Sequence, residues 1–108
     1  MSDVINHFNG SYEELMASIQ SKNKLCVVDF FASWCGPCQR LGKILPDIAK
    51  EYPNAEFYKV DIDQNREAAS KFGVRSIPHI VFMKDNKEVD HIVGADIQRI
   101  KSNVEKYQ

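Results

Sequence analysis

The sequence predicts an α/β fold built on one mixed sheet with helices on both faces. Three observations carry this. Strand-like and helix-like apolar patterns alternate along the chain. Leu25 to Ala32 is a nearly continuous apolar run, the signature of a central strand buried on both faces. Near the C-terminus, Lys84-Asp85-Asn86-Lys87 separates two short apolar runs, which reads as a hairpin turn.

Each element follows in order. Val4 to Phe8 is a short apolar strand. Ser11-Tyr12-Glu13-Glu14 has the S-x-x-E capping-box form and opens a helix with Tyr12, Leu15, Met16 and Ile19 at helical spacing. Leu25 to Ala32 is the central strand. From about Pro37 to Tyr52, one helix face carries Leu41, Ile44, Leu45, Ile48 and Tyr52, and Pro46 inside it should produce a kink. Ala55 to Ile62 is the third strand. Asn65 to Phe72 is a short helix with Gly73 placed as its C-cap. Ile80 to Met83 and Val89 to Val93 form the hairpin, and Asp96 caps a last helix bearing Ile97, Ile100, Val104 and Tyr107. The order is β-α-β-α-β-α-β-β-α. Alternation in the first half favours parallel pairing through right-handed crossovers, and the final hairpin must be antiparallel.

Composition bounds the function. The 108 residues fit one domain, residues 1–108, and 44% are hydrophobic. The net charge of −1 argues against a nucleic-acid partner or a polybasic membrane anchor. No apolar run approaches the roughly 20 residues of a membrane span. Met1-Ser2-Asp3-Val4 shows neither a basic nor an apolar leader region, so no secretory signal is expected. Three cysteines are too few for a disulfide framework, and a cytoplasmic protein that keeps cysteines for chemistry is the simplest reading.

That chemistry centres on Trp34-Cys35-Gly36-Pro37-Cys38, between the central strand and the kinked helix. Cys35 falls at a helix N-terminus, where unpaired N–H groups and the positive end of the dipole stabilise a thiolate. Cys38 lies one turn further on, close enough to close a small ring. Cys35 is therefore expected to be the exposed nucleophile and Cys38 the shielded one. Pro37 suits a first helical turn, and Gly36 is expected to let the backbone turn tightly without blocking access. Such a pair can cycle between dithiol and disulfide. The alternatives are a chance C-x-x-C and half of a zinc site. The second half of a zinc site is absent, since Cys26, His7, His79 and His91 show no ligand spacing.

The chain resembles the thioredoxin family over nearly its whole length. The resemblance rests on Asp29-Phe30-Phe31-Ala32-Ser33-Trp34-Cys35-Gly36-Pro37-Cys38, Val60-Asp61-Ile62-Asp63, Phe72-Gly73-Val74-Arg75-Ser76-Ile77-Pro78 and Val93-Gly94-Ala95, in the family's order and spacing. It implies a five-stranded sheet flanked by four helices. It also implies reduction of protein disulfides, with oxidised protein restored by an NADPH-dependent thioredoxin reductase. Substrates would be disulfide-containing proteins such as peroxiredoxins or reductases. No metal or organic cofactor is implied, because the Cys35–Cys38 pair is itself the redox equivalent, and a monomer is expected. A disulfide oxidase or isomerase is one alternative. A thioredoxin-fold binding module without turnover is another.

Further positions carry expectations. Asp29 interrupts the apolar strand, so burial should raise its pKa unless it is paired. By the residues alone it is either a functional carboxyl or one facing a polar gap. The resemblance implies a proton acceptor beneath the second cysteine, with Lys59 near it. Pattern alone makes Pro78 an ordinary strand-start proline; the resemblance implies a cis Ile77–Pro78 bond that brings Ile77 beside Cys35. Trp34, with Ile62, Val74, Ile77, Val93, Gly94 and Ala95, would form a shallow apolar collar around the cysteines. A side chain at Gly94 could obstruct close backbone approach.

The chain departs from the family pattern in places. Gln39 stands where Lys is common, with Arg40 beside it. The kinking proline is shifted from the position of Lys43 to Pro46. His79 follows Pro78 where Thr is frequent and is expected to be a strand residue with a satisfied ring. Cys26 is expected to be a small core hydrophobe.

Overall fold

The computed structural model describes residues 4–108, so the reading of Met1 to Asp3 lies outside the described residues. The elements are β1 (Ile5–Phe8), α1 (Tyr12–Lys22), β2 (Cys26–Phe31), α2 (Gly36–Glu51), β3 (Glu56–Asp61), α3 (Arg66–Lys71), β4 (His79–Lys84), β5 (Lys87–Val93) and α4 (Ile97–Tyr107). The five strands form one sheet in the order β1-β3-β2-β4-β5. β3 runs parallel to both β1 and β2, whereas β4 is antiparallel to β2 and to β5.

Local chemistry sets the element ends. At α1 the Ser11 hydroxyl accepts from the Glu14 N–H at 3.1 Å, and the Glu14 carboxylate accepts from the Ser11 N–H at 2.8 Å, a complete capping box. The Asp96 carboxylate caps α4 by accepting from the Arg99 N–H at 3.1 Å. The hairpin turn is only Asp85 and Asn86, both left-handed at φ +54° and +64°, so Lys84 and Lys87 pair in the ladder. Two consecutive positive φ values match the twist of antiparallel strands. Strand β2 is shorter than the apolar run: Leu25, whose carbonyl accepts from the Glu56 N–H at 2.8 Å, and Ala32 are buried but lie outside its register with β3 and β4. Gly73 takes φ +71° one residue beyond the Phe72 cap of α3.

Side chains alternate between two cores. Val27 on β2 packs with Leu41, Leu45 and Ile48 of α2 and with Ile100 and Val104 of α4. Val28 and Phe30 face the other way, onto Leu15 and Ile19 of α1 and Ala68 and Ala69 of α3. The molecule is thus three layers, and Asp29 shares the face of Val27, toward α2. Cys26 is fully buried in the α1/α3 core as a free thiol, its pKa pushed up to about 11 chiefly by burial. Among the described residues, no helix is long and apolar enough to cross a membrane.

Candidate active site

The C-terminal end of β2 delivers Ala32 to Trp34 into a turn, and α2 begins at Gly36. Cys35 is the N-cap of α2 and is joined to Cys38 by a disulfide, with Cα atoms 5.2 Å apart. The Cys38 N–H donates to the Cys35 sulfur at 3.2 Å, so a first-turn amide points at the atom that would carry the thiolate charge. Cys35 is the more accessible of the two, but only 6% exposed against 1% for Cys38. The expected order, Cys35 more accessible than Cys38, holds, although Cys35 is itself largely buried in a cluster with Ala32, Phe31, Ile62 and Ile77.

The Ile77–Pro78 bond is cis, and the Ile77 carbonyl oxygen lies 3.9 Å from the Cys35 sulfur. The Pro78 carbonyl accepts from the Gly94 N–H at 2.8 Å, which ties the Val93-Gly94-Ala95 segment to the proline. Trp34 is 68% exposed and Val93 53% exposed on this surface. Ile62 and Val74 line one adjoining groove, while the Ala95 side chain packs against the α2/α4 core. Gly36 is the first residue of α2 without a positive φ, so no tight turn demands it. Gly94 has φ +107°, and a Cβ there would meet nothing within 4 Å, so backbone conformation selects glycine rather than crowding within the chain.

Asp29 is fully buried on the α2 face, in register with Lys59 of β3. Burial raises its pKa to about 7, and the Lys59 ammonium partly opposes that rise. Among the described residues, neither carboxyl oxygen has a hydrogen-bond partner. The Lys59 ammonium sits 4.3 Å from the centre of the Phe31 ring. Cys38, Phe31, Gly42 and Lys59 share the lining of a cavity of about 400 Å³, which Lys43 and Gln39 also border. Among the described residues, no three His, Cys, Asp or Glu side chains are grouped to hold a metal ion.

Three features had no signal in the sequence reading. The Asp63 carboxylate accepts from the Trp34 indole N–H at 2.9 Å, across 29 positions of chain. The Gln39 amide donates to the Ser33 carbonyl at 2.6 Å, bracing the turn at the position where the family commonly has Lys. Gly42 leaves room for Lys59, because a Cβ there would lie 3.0 Å from the ammonium. His79 differs from expectation. Its Nδ1 is buried and has no hydrogen-bond partner among the described residues, and the ring stacks on His91 at 5.2 Å.

Comparison with known proteins places this arrangement. The thioredoxin family model matches residues 4–106. The chain is 46% identical to thioredoxin H-type 1 of Nicotiana tabacum over 84 residues, covering 78% of this chain and 67% of that one. It is 42% identical to thioredoxin-2 of Saccharomyces cerevisiae over 94 residues, covering 87% and 90%. The solved structure of Trichomonas vaginalis thioredoxin superposes with a TM-score of 0.93 at 50% identity, covering 99% of this chain and all of that one.

Proposed function

The chain belongs to the thioredoxin family and reduces protein disulfides by dithiol–disulfide exchange, and on that premise we propose which of its groups carry each step. The observation that supports the assignment is the Cys35–Cys38 disulfide at the start of α2, with the Cys38 N–H donated to the Cys35 sulfur. In the reduced protein the Cys35 thiolate attacks one sulfur of a substrate disulfide. That S–S bond breaks, the other substrate sulfur leaves as a thiolate and takes a proton, and a mixed disulfide forms. The Asp29 carboxylate then takes the Cys38 proton, and the Cys38 thiolate attacks the Cys35 sulfur. The mixed disulfide breaks and the second substrate thiolate leaves. Two electrons pass to the substrate, and the chain ends as the disulfide described above.

A carboxyl with a pKa of about 7 is well matched to this task, since it holds and releases a proton near neutral pH. Lys59 keeps part of it ionised. Trp34, Gly36, Pro37, Ile62, Val74, Ile77, Pro78, Val93, Gly94 and Ala95 form the surface that receives the substrate. The cysteine pair is the whole redox equivalent, without metal or organic cofactor. Electrons return from an NADPH-dependent thioredoxin reductase, and disulfide-bearing proteins such as peroxiredoxins and reductases are the substrates. The 108 residues act as one domain and as a monomer. A cytoplasmic setting is supported by cysteine usage: two for exchange and a third left free and buried.

Turnover of insulin disulfides with dithiothreitol tests the assignment. Cys35→Ser and Cys38→Ser should each abolish it, and Cys26→Ser should retain most of it. A binding module would show no cysteine-dependent rate. An oxidase or isomerase would fail when dithiothreitol is replaced by NADPH and a thioredoxin reductase.

A further inference from the structure

A groove of about 500 Å³ leads away from the collar, lined by Ile62 and Val74 together with Arg66, Arg75 and Asp63. Ile62 also packs against the cysteine cluster, so one wall of the groove adjoins the redox pair. Its charge is unusual for a chain of net charge −1. Arg66 and Arg75 are both exposed, and among the described residues neither forms an ion pair or a hydrogen bond. The nearby acids accept hydrogen bonds from neutral donors and keep their charge, so the groove lining carries two arginines against the one carboxylate of Asp63. The Asp63 carboxylate accepts from the Trp34 indole, and the Glu67 carboxylate accepts from the Tyr12 N–H at 2.9 Å, on the α1 side. Two unpaired guanidinium groups thus border an apolar floor next to the site of exchange. A guanidinium presents a planar fork of donors that matches a carboxylate.

We propose that this groove receives an acidic stretch of the substrate polypeptide flanking its disulfide, with Arg66 and Arg75 setting that preference. The inference rests on the collar assignment above, since the groove matters only if substrate lies across Ile62 and Val74. Both arginines are solvent-exposed, so each carboxylate contact is weak and its effect falls mainly on encounter and on salt dependence.

The test uses synthetic peptides that each close one disulfide and differ only in the three residues beside the attacked cysteine: Glu, Gln or Lys. One set carries them on the N-terminal side and one on the C-terminal side. At low ionic strength kcat/KM should follow Glu above Gln above Lys in one set, with roughly a threefold to tenfold span. The span should shrink at 0.5 M salt, where charges several ångströms apart are screened. In the Arg66→Gln/Arg75→Gln double variant the Glu-to-Gln ratio should approach one. Equal rates for Glu and Lys peptides in both sets would overturn the proposal, as would an acidic preference that survives in the double variant. The collar reading is tested separately by Val93→Ser, which leaves the Trp34–Asp63 bond in place and should slow all six peptides alike. If Val93→Ser slows none of them, the collar reading fails, and this proposal with it.

Discussion

Asp29 and His79 occupy neighbouring central strands, and both have buried polar atoms with no hydrogen-bond partner among the described residues. They face opposite ways. Asp29 lies under α2, whereas His79 is paired with Phe30 and lies on the α1/α3 side. Burial favours the neutral form of each, raising the Asp29 pKa to about 7 and lowering that of His79. Their neighbours make the difference. Asp29 faces Lys59, which opposes burial and keeps the carboxyl titrating near neutrality. His79 is stacked on His91, whose charge adds to the effect of burial, with only Glu88 acting against it. Asp29 is thereby held near neutrality, whereas both burial and its charged neighbour move His79 in the same direction, toward the neutral ring. Desolvation alone does not make a buried group chemically useful; the sign of the adjacent charge decides.

The largest expected effect breaks the comparison on the Asp29 side. Asp29→Asn removes the proton acceptor, and resolution of a trapped mixed disulfide in stopped flow should slow by about 100-fold, most visibly below pH 7. Stability should move the other way. The folded pKa of Asp29 lies above its unfolded value, so its contribution is complete below about pH 4 and is lost as pH rises through about 7. The stability of Asp29→Asn relative to the natural chain, from urea melts, should therefore rise by about 3 kcal/mol between pH 5 and pH 8.5. A gap that stays constant with pH would show Asp29 to be ionised and satisfied.

A smaller effect is expected at His79. Its folded pKa lies below 6.5, so its contribution is complete above that pH and is lost as the solution becomes more acidic. His79→Leu removes an unpartnered buried nitrogen and should stabilise the fold by about 1 kcal/mol at pH 7.5. The gain should grow as pH falls below 6.5, opposite in direction to Asp29→Asn. Thermal melts at pH 5.5 and 7.5 separate the two, and a pH-independent difference would mean His79 never resists protonation.

The smallest effect sharpens the comparison through Lys59. Gly42→Ala adds a methyl group 3.0 Å from the ammonium, and the flexible lysine end must move. The change also favours helix by about 1 kcal/mol. The variant should be more stable, yet the pH midpoint of mixed-disulfide resolution should shift upward because Asp29 loses part of its opposing charge. An unmoved midpoint would mean that Lys59 does not tune Asp29.

Much of this was legible locally. The capping box at Ser11, the left-handed pair Asp85-Asn86, the Asp96 cap and the placement of Cys35 at a helix start depend on residues within a few positions of one another. Hydrogen bonding and backbone sterics act at that range, so the sequence by itself determined the nine elements, their order and the cysteine pair. Burial of Asp29 was also legible, because an apolar strand must take its polar member inside with it. The insertion of β3 between β1 and β2 was not, nor were the Trp34–Asp63 bond, the space Gly42 leaves for Lys59 and the stacking of His79 on His91. The approach of Ile62 and Ile77 to Cys35 was implied only by the family resemblance, since both reach it from distant segments, and the degree of its burial was not legible. These contacts join residues many positions apart, and only the packing of three layers decides which of them meet. Tertiary structure therefore chose the surroundings of each reactive group, and those surroundings set its charge and access.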